Sequence, residues 1–203
     1  RRWVADIAHE LRTPLGLLRA NIEAIQDGVR QADAKTLANL LDDVLRLGRL
    51  VDDLNELSRT EPSALAYRRQ SVDLDRLLAD LVAGYRERFA GSGLSLSYSA
   101  EGQGPWRLDA DPDRLTQLVQ NLLSNSLSYT NRDQPVEIQL SRAQDQLLLR
   151  VDDGPPGLPD EALPLLFERL YRVESSRNRR TGGAGLGLAI ARNIVEAHGG
   201  HIR

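Results

Sequence analysis

The sequence predicts two domains of different class: an all-α antiparallel helical hairpin over residues 1–60 and a mixed α/β domain over 72–203, joined by a linker at 61–71. Three observations predict it. First, apolar residues recur every seven positions in two interleaved rows, Val4, Leu11, Leu18, Ile25 and Ala8, Leu15, Ile22. That is the seam of a coiled-coil-like helix. Second, composition shifts between Ser58 and Ser71, where Thr60, Glu61, Pro62 and Ser63 interrupt the heptads. Third, short alternating runs such as Leu94-Ser95-Leu96-Ser97-Tyr98 follow, interspersed with helical periods and glycine clusters.

The first helix should end near Gln26, because Asp27-Gly28 is a turn and C-cap signal. A second should begin near Ala34, with Leu37, Val44, Val51 and Leu40, Leu47, Leu54 as its rows, widened by Leu41, Leu50 and Leu57. Each apolar face is broader than one partner helix covers, so the hairpin is expected to form a four-helix bundle with a second copy. Beyond the linker, 72–89 reads as a helix capped by Asp73, 94–98 as a strand, and 106–108 as a short strand. Asp111-Pro112 opens another helix, with proline well placed in its first turn. Residues 136–140 and 146–151 read as a hairpin around Ala143-Gln144-Asp145. A Gly/Pro turn, a long irregular basic stretch and a helix over 186–198 complete the chain. The last residues read as the start of a truncated strand.

Composition narrows the function. Hydrophobic residues at 41% with 27% charged are ordinary for a globular protein. A net charge of −3 argues against nucleic acid as the main partner, since phosphate backbones require a cationic face. No cysteine is present, so disulfides and thiolate metal sites are excluded. No apolar run is long enough to cross a bilayer, and no membrane contact is expected of these residues. The chain opens on Arg1-Arg2, already inside a helical pattern, and reads as a piece of something longer.

Five places carry chemistry. His9 lies outside both heptad rows, beside Glu10, with Thr13 one turn further on the same side and Pro14 unable to donate to the Glu10 carbonyl. Pro14 should therefore bend or loosen the helix beside His9; a surface histidine on a kinked helix is the ordinary alternative. On the helix after Asp111, Gln117, Asn121, Asn125 and Tyr129 recur every four residues opposite an apolar face. Carboxamide oxygens suit a hard cation with bound phosphate, and Tyr129 a flat ring; a solvated polar face is the alternative. Asp152-Asp153-Gly154-Pro155-Pro156-Gly157 follows a strand, and a carboxylate there can accept from an exocyclic amine; an Asp-rich turn is commoner. Gly182-Gly183-Ala184-Gly185-Leu186-Gly187-Leu188 opens the last helix, where glycines let backbone N–H groups approach phosphate. It matches neither a P-loop nor the dinucleotide-binding spacing, and a glycine hinge is the alternative. Between these two, Phe167 to Arg172 and the arginines 177, 179 and 180 suit polyphosphate and a closing lid, or a basic surface loop.

Taken together, His9-Glu10-Leu11-Arg12-Thr13-Pro14, Asn121 with Asn125, Asp153 to Gly157, Phe167 to Arg172 and Gly183 to Gly187 resemble the H, N, G1, F and G2 boxes of the sensor histidine kinases of two-component systems, in family order. Within the family, residues 23–29 and 175–179 look most like bacterial envelope-stress sensors. The resemblance implies an α/β sandwich of the histidine kinase, gyrase and chaperone type for 72–203, with ATP and Mg²⁺ as its ligands. It implies that His9 is the phosphoacceptor, that Glu10 orients its ring and takes the other proton, and that Thr13 places a water for dephosphorylation. It implies Asn125 on Mg²⁺, Asn121 near the phosphates, Tyr129 on the adenine face and Asp153 on its amino group. Gly157 belongs to the same turn, Arg172 would reach the terminal phosphate, and Gly183, Gly185, Leu186 and Gly187 form the loop that closes over the nucleotide. It further implies a homodimer through 1–60, a response-regulator receiver domain as partner, and a parent in the bacterial inner membrane with these domains in the cytoplasm.

Two departures from the family pattern stand out. Ser128 occupies a position usually held by Lys or Arg near the phosphates, and Pro155 replaces a glycine of the turn after Asp153. They keep open a nucleotide-binding scaffold or a mainly phosphatase-competent module. An ATPase of the gyrase or chaperone type is a third reading, against which the His9 hairpin counts.

Overall fold

The computed structural model describes residues 2–59, 67–173 and 185–203, with side chains described from residue 11 except at 46, 49 and 52–59. It divides into two compact units, 1–61 and 62–203.

The first unit is a helical hairpin. Helix α1 spans Arg2–Gln26 and continues through Pro14, and α2 spans Ala34–Arg59. The turn falls where Asp27-Gly28 signals it: the Gly28 N–H donates to the Ile25 carbonyl at 3.1 Å. Asp33 then caps α2, its Oδ1 accepting from the Thr36 N–H at 2.7 Å. Leu11, Leu18 and Ile25 are half-buried. Leu15 (51%), Ile22 (42%), Leu37 (53%), Leu41 (58%) and Val44 (49%) remain exposed within the single chain. One partner helix thus leaves much of each apolar face uncovered.

The second unit begins with strand β1, Gln70–Asp73, which pairs antiparallel with β3, Arg107–Ala110. This corrects two expectations: residues 70–71 are strand rather than linker, and Val72 is strand rather than helix. Asp73 nevertheless caps helix α3, Leu74–Gly91, accepting from the Arg76 N–H at 3.3 Å. Strand β2, Ser95–Glu101, runs parallel to β4, Pro135–Ala143, and β4 pairs antiparallel with β5, Gln146–Asp153. Helix α4, Pro112–Tyr129, starts on the Asp111 N-cap, and α5 spans Gly187–Ala197. A 3₁₀ turn at Asp160–Leu165 interrupts the stretch expected to be irregular, and residues 201–203 form no strand.

Along β4, Val136, Ile138 and Leu140 are buried while Glu137 between them is exposed, so one face of the sheet is covered. The covering layer is Leu78, Val82 and Phe89 of α3, Leu115, Val119 and Leu123 of α4, and Ile190 and Ile194 of α5. At about 1.5–3 kcal/mol for each such side chain, this layer is the main stabilising term.

Asp111 ties the lead-in residues to that layer. Its Oδ1 accepts from the N–H groups of Asp113 and Arg114 at 3.0 and 3.2 Å, and its Oδ2 from Arg68 N–H at 2.9 Å. Its own N–H donates to His198 Nε2 at 3.1 Å, just past the end of α5. The His198 ring stands edge-on to Tyr67 at 5.1 Å, and the Arg69 guanidinium donates to the Ala197 carbonyl at 2.6 Å. The N-terminal end of α4 therefore meets the C-terminal end of α5, and the two run antiparallel.

Candidate nucleotide-binding site

Helix α4 is the spine of the site. Its apolar residues Leu115, Leu118, Val119 and Leu123 are buried, which turns the stripe of Asn121, Asn125 and Tyr129 to partly open ground; all three are half-buried. Asn121 faces the start of α5. A Cβ added to Gly187 would lie 3.7 Å from Asn121 Cγ. The Asn121 Nδ2 is buried with no hydrogen-bond partner among the described residues. An orphaned buried amide is costly, by about 1–3 kcal/mol, and rare enough to indicate a missing acceptor.

The loop before α5 packs tightly on the segment that precedes it. Gly185 has φ +73, and an added Cβ would come within 2.8 Å of the Tyr171 carbonyl oxygen and 2.9 Å of Leu170 C. No side chain fits there. The Gly185 carbonyl accepts from Leu170 N–H at 2.9 Å, and Leu170 itself sits at φ 63, a strained conformation for a leucine. Leu186 is buried, and Arg172 is half-buried two residues beyond Leu170. Gly183 and the arginines at 177–180 lie outside the described residues.

The other end of α4 meets the turn after β5. Ser126, 2% exposed, donates its hydroxyl to Asp153 Oδ2 at 3.0 Å. The Asn131 N–H donates to the Pro155 carbonyl at 2.8 Å. A Cβ on Gly154 would collide with Gln134 Cβ at 2.7 Å, so only glycine allows the chain to turn there. Gly157 is exposed at φ +67 with open space around its Cα, and no neighbour approaches it. Thr130, just past α4, has a buried hydroxyl without a partner among the described residues. At position 128 the serine hydroxyl donates back to the Ser124 carbonyl at 2.8 Å.

The structure thus brings Asn121 to the Gly187 end of α5, and the α4 C-terminus to Asp153 and Pro155. Asn125 and Tyr129 lie between these two anchor points on one helical face. Ser126 and Thr130 escaped the sequence reading, and Gly154 and Leu170 fell inside singled-out stretches without a role of their own. Neither Ser126 nor Thr130 carried a signal of its own. In the first unit, Thr13 is exposed on α1. The side chains of His9 and Glu10 lie outside the described residues, although their backbone is helical.

Among the described residues, no group of three or more His, Asp or Glu could cage a metal. A cation held here would rely on carboxamide oxygen and on ligand phosphates, the donor set that suits Mg²⁺. No described helix is long and apolar enough to cross a membrane.

Comparison with known proteins finds relatives for both units of the chain. Residues 1–63 match the His Kinase A (phospho-acceptor) domain. Residues 110–203 match the family described as histidine kinase-, DNA gyrase B- and HSP90-like ATPase. The chain is 49% identical to the signal transduction histidine-protein kinase BaeS of Escherichia coli, over 202 residues that cover 100% of this chain and 43% of that protein. It therefore spans less than half of that relative's length. Among solved structures, the histidine kinase AdeS of Acinetobacter baumannii superposes with a TM-score of 0.77 at 25% identity, over 93% of this chain and 86% of that one. The histidine kinase ThkA, solved in complex with the response regulator protein TrrA, has a TM-score of 0.76 at 20% identity, over 98% of this chain and 55% of that one, and shows the shared fold.

Proposed function

The chain belongs to the sensor histidine kinases of two-component signal transduction, and from that premise we propose that it is the dimerising, phosphoacceptor and ATP-binding core of such a kinase. A neutral ring nitrogen of His9 attacks the γ-phosphorus of ATP. The bond from that phosphorus to the β,γ-bridging oxygen breaks, ADP leaves, and Glu10 orients the ring and takes up its other proton. The phosphoryl group then passes to an aspartate on a response regulator. Thr13 serves the reverse sense, placing the water that dephosphorylates that regulator.

One observation carries the nucleotide assignment. A single helix, α4, presents the orphaned Asn121 amide at the Gly187 end of α5 and sets its other end against Asp153. That arrangement suits a ligand with phosphates at one end and an amine-bearing base at the other. In the proposed pose Asn121 and the N–H groups near Gly185 and Gly187 face the phosphates, with Gly183, Leu186 and Arg172 contributing from the loop. Tyr129 flanks the base, Asp153 accepts from its amino group, and Gly157 shapes the turn. Asn125 supplies oxygen to Mg²⁺, whose bound charge offsets that of the phosphates. Positioning and charge neutralisation account for the catalysis.

The boundaries proposed are 1–60 for the dimerising hairpin, a linker after it, and an ATP-binding domain that includes β1. The exposed faces of α1 and α2 support a homodimer through that hairpin, and kinship with BaeS supports an envelope-stress sensor whose remainder is held in the inner membrane. The decisive experiment is incubation with γ-labelled ATP and Mg²⁺, scoring acid-labile, base-stable phosphate. His9→Gln should abolish labelling while nucleotide binding persists, and Thr13→Ala should label normally but leave phosphorylated regulator longer-lived. Equal labelling of wild type and His9→Gln would overturn the assignment.

A further inference from the structure

Ser126 lies outside the polar stripe and is the only described side chain that hydrogen-bonds Asp153. It is 2% exposed in the last full turn of α4, where a serine gains nothing over alanine unless its hydroxyl is used. Here the hydroxyl donates to Oδ2 of a carboxylate that is itself exposed at the end of β5, and no described residue bonds Oδ1. The backbone around Asp153 is constrained from both sides, by pairing with Val136 in the sheet and by the close contact of Gly154 with Gln134. With the backbone and Oδ2 both held, rotation of the carboxylate is restricted, and Oδ1 is left to accept from a ligand. One turn along, the unpartnered buried hydroxyl of Thr130 indicates that a polar ligand or water belongs beside this turn.

We propose that Ser126 is a positioning residue for base selection: it pins Asp153 Oδ2 so that Oδ1 alone accepts from the 6-amino group of a purine nucleotide. The proposal rests on the nucleotide reading of Asp153 above. An ionised carboxylate only accepts, so it favours a 6-amino purine and opposes a 6-oxo purine, whose group at that place also accepts. A carboxylate free to rotate can turn away from the wrong base at little cost. A pinned one cannot, and discrimination rises with rigidity.

The test uses the full chain and measures the affinity of ADP against the diphosphate of unsubstituted purine riboside, which lacks the 6-amino group. Ser126→Ala is expected to weaken ADP about tenfold, the size of a lost hydrogen bond to a charged group, and to leave the analogue within about twofold. Autophosphorylation should show a raised KM for ATP with kcat retained, and Ser126→Thr should restore the ADP preference. Equal weakening of both nucleotides would mean a merely structural role and would overturn the proposal, as would no change in either. Asp153→Asn separates the two layers of inference. If it leaves ADP binding intact, the nucleotide reading of Asp153 falls with the proposal. If it abolishes the ADP preference while Ser126→Ala spares it, only the role of Ser126 falls.

Discussion

At position 128 a neutral hydroxyl stands on the face of α4 that carries Asn121 and Asn125, and it spends a hydrogen on the Ser124 carbonyl one turn back. A helix that faces phosphates, as proposed for α4, gains from a cation there, and α4 has none at that position. Ser128→Arg should therefore tighten ATP binding by about 1 kcal/mol, or roughly fivefold, with the gain shrinking as salt is raised. Titration calorimetry at two ionic strengths measures it, and an unchanged affinity in low salt would place the phosphates away from residue 128. Residues of this kind were legible because a departure from an otherwise matched motif is visible in the letters. Ser126 was not. A buried serine in a helix has no period of its own, and its partner Asp153 is 27 positions away, across a strand pairing that no local pattern reveals. Leu170 was equally hidden, since a leucine at positive φ is dictated by the Gly185 contact and by nothing in its own sequence.

Among elements, α4 starts on a side chain with an unusual number of ties, Asp111. Burial disfavours ionisation of Asp111, but the N–H groups of Arg68, Arg114 and Asp113, with the Arg114 charge, outweigh it and hold the carboxyl below the usual range. A carboxyl lowered in the folded state stabilises it fully above its unfolded pKa of about 4 and loses that contribution as pH falls through the lowered folded value. Denaturant unfolding of the wild type should thus weaken below about pH 4, and Asp111→Ala should cost about 1–2 kcal/mol at neutral pH and flatten that acid dependence. An unaltered acid limb in the variant would show that other carboxylates govern it. The N-cap was readable from Asp111-Pro112, as were both long helices from their periodicity. Strands β1 and β3 were not, or only in part, because four residues give too few alternations to outweigh the helical period that follows. Their pairing is a tertiary fact, made when Val72 meets Leu108 across the register.

Across the whole molecule, the two units differ in what completes them. The α/β unit buries its own layer, whereas the hairpin leaves Leu15, Ile22, Leu37, Leu41 and Val44 each more than two-fifths exposed. Stability of the hairpin should then follow mass action and that of the α/β unit should not. In calorimetry at protein concentrations tenfold apart, the hairpin transition should move upward with concentration. Ile22→Glu should lower it, abolish the concentration dependence and shift the chain to monomer in sedimentation. A concentration-independent pair of transitions in the wild type would sink the bundle.

The ties of Tyr67, Arg68 and Arg69 have a mechanical consequence. They grip the ends of α4 and α5 that lie away from Gly187. A load reaching Tyr67 would therefore bear on the N-terminal end of α4 and the C-terminal end of α5 together, as well as on strand β1, which begins at Gln70. Were α4 and α5 to turn as one piece under it, Asn121 and Gly187, which lie side by side, would move together.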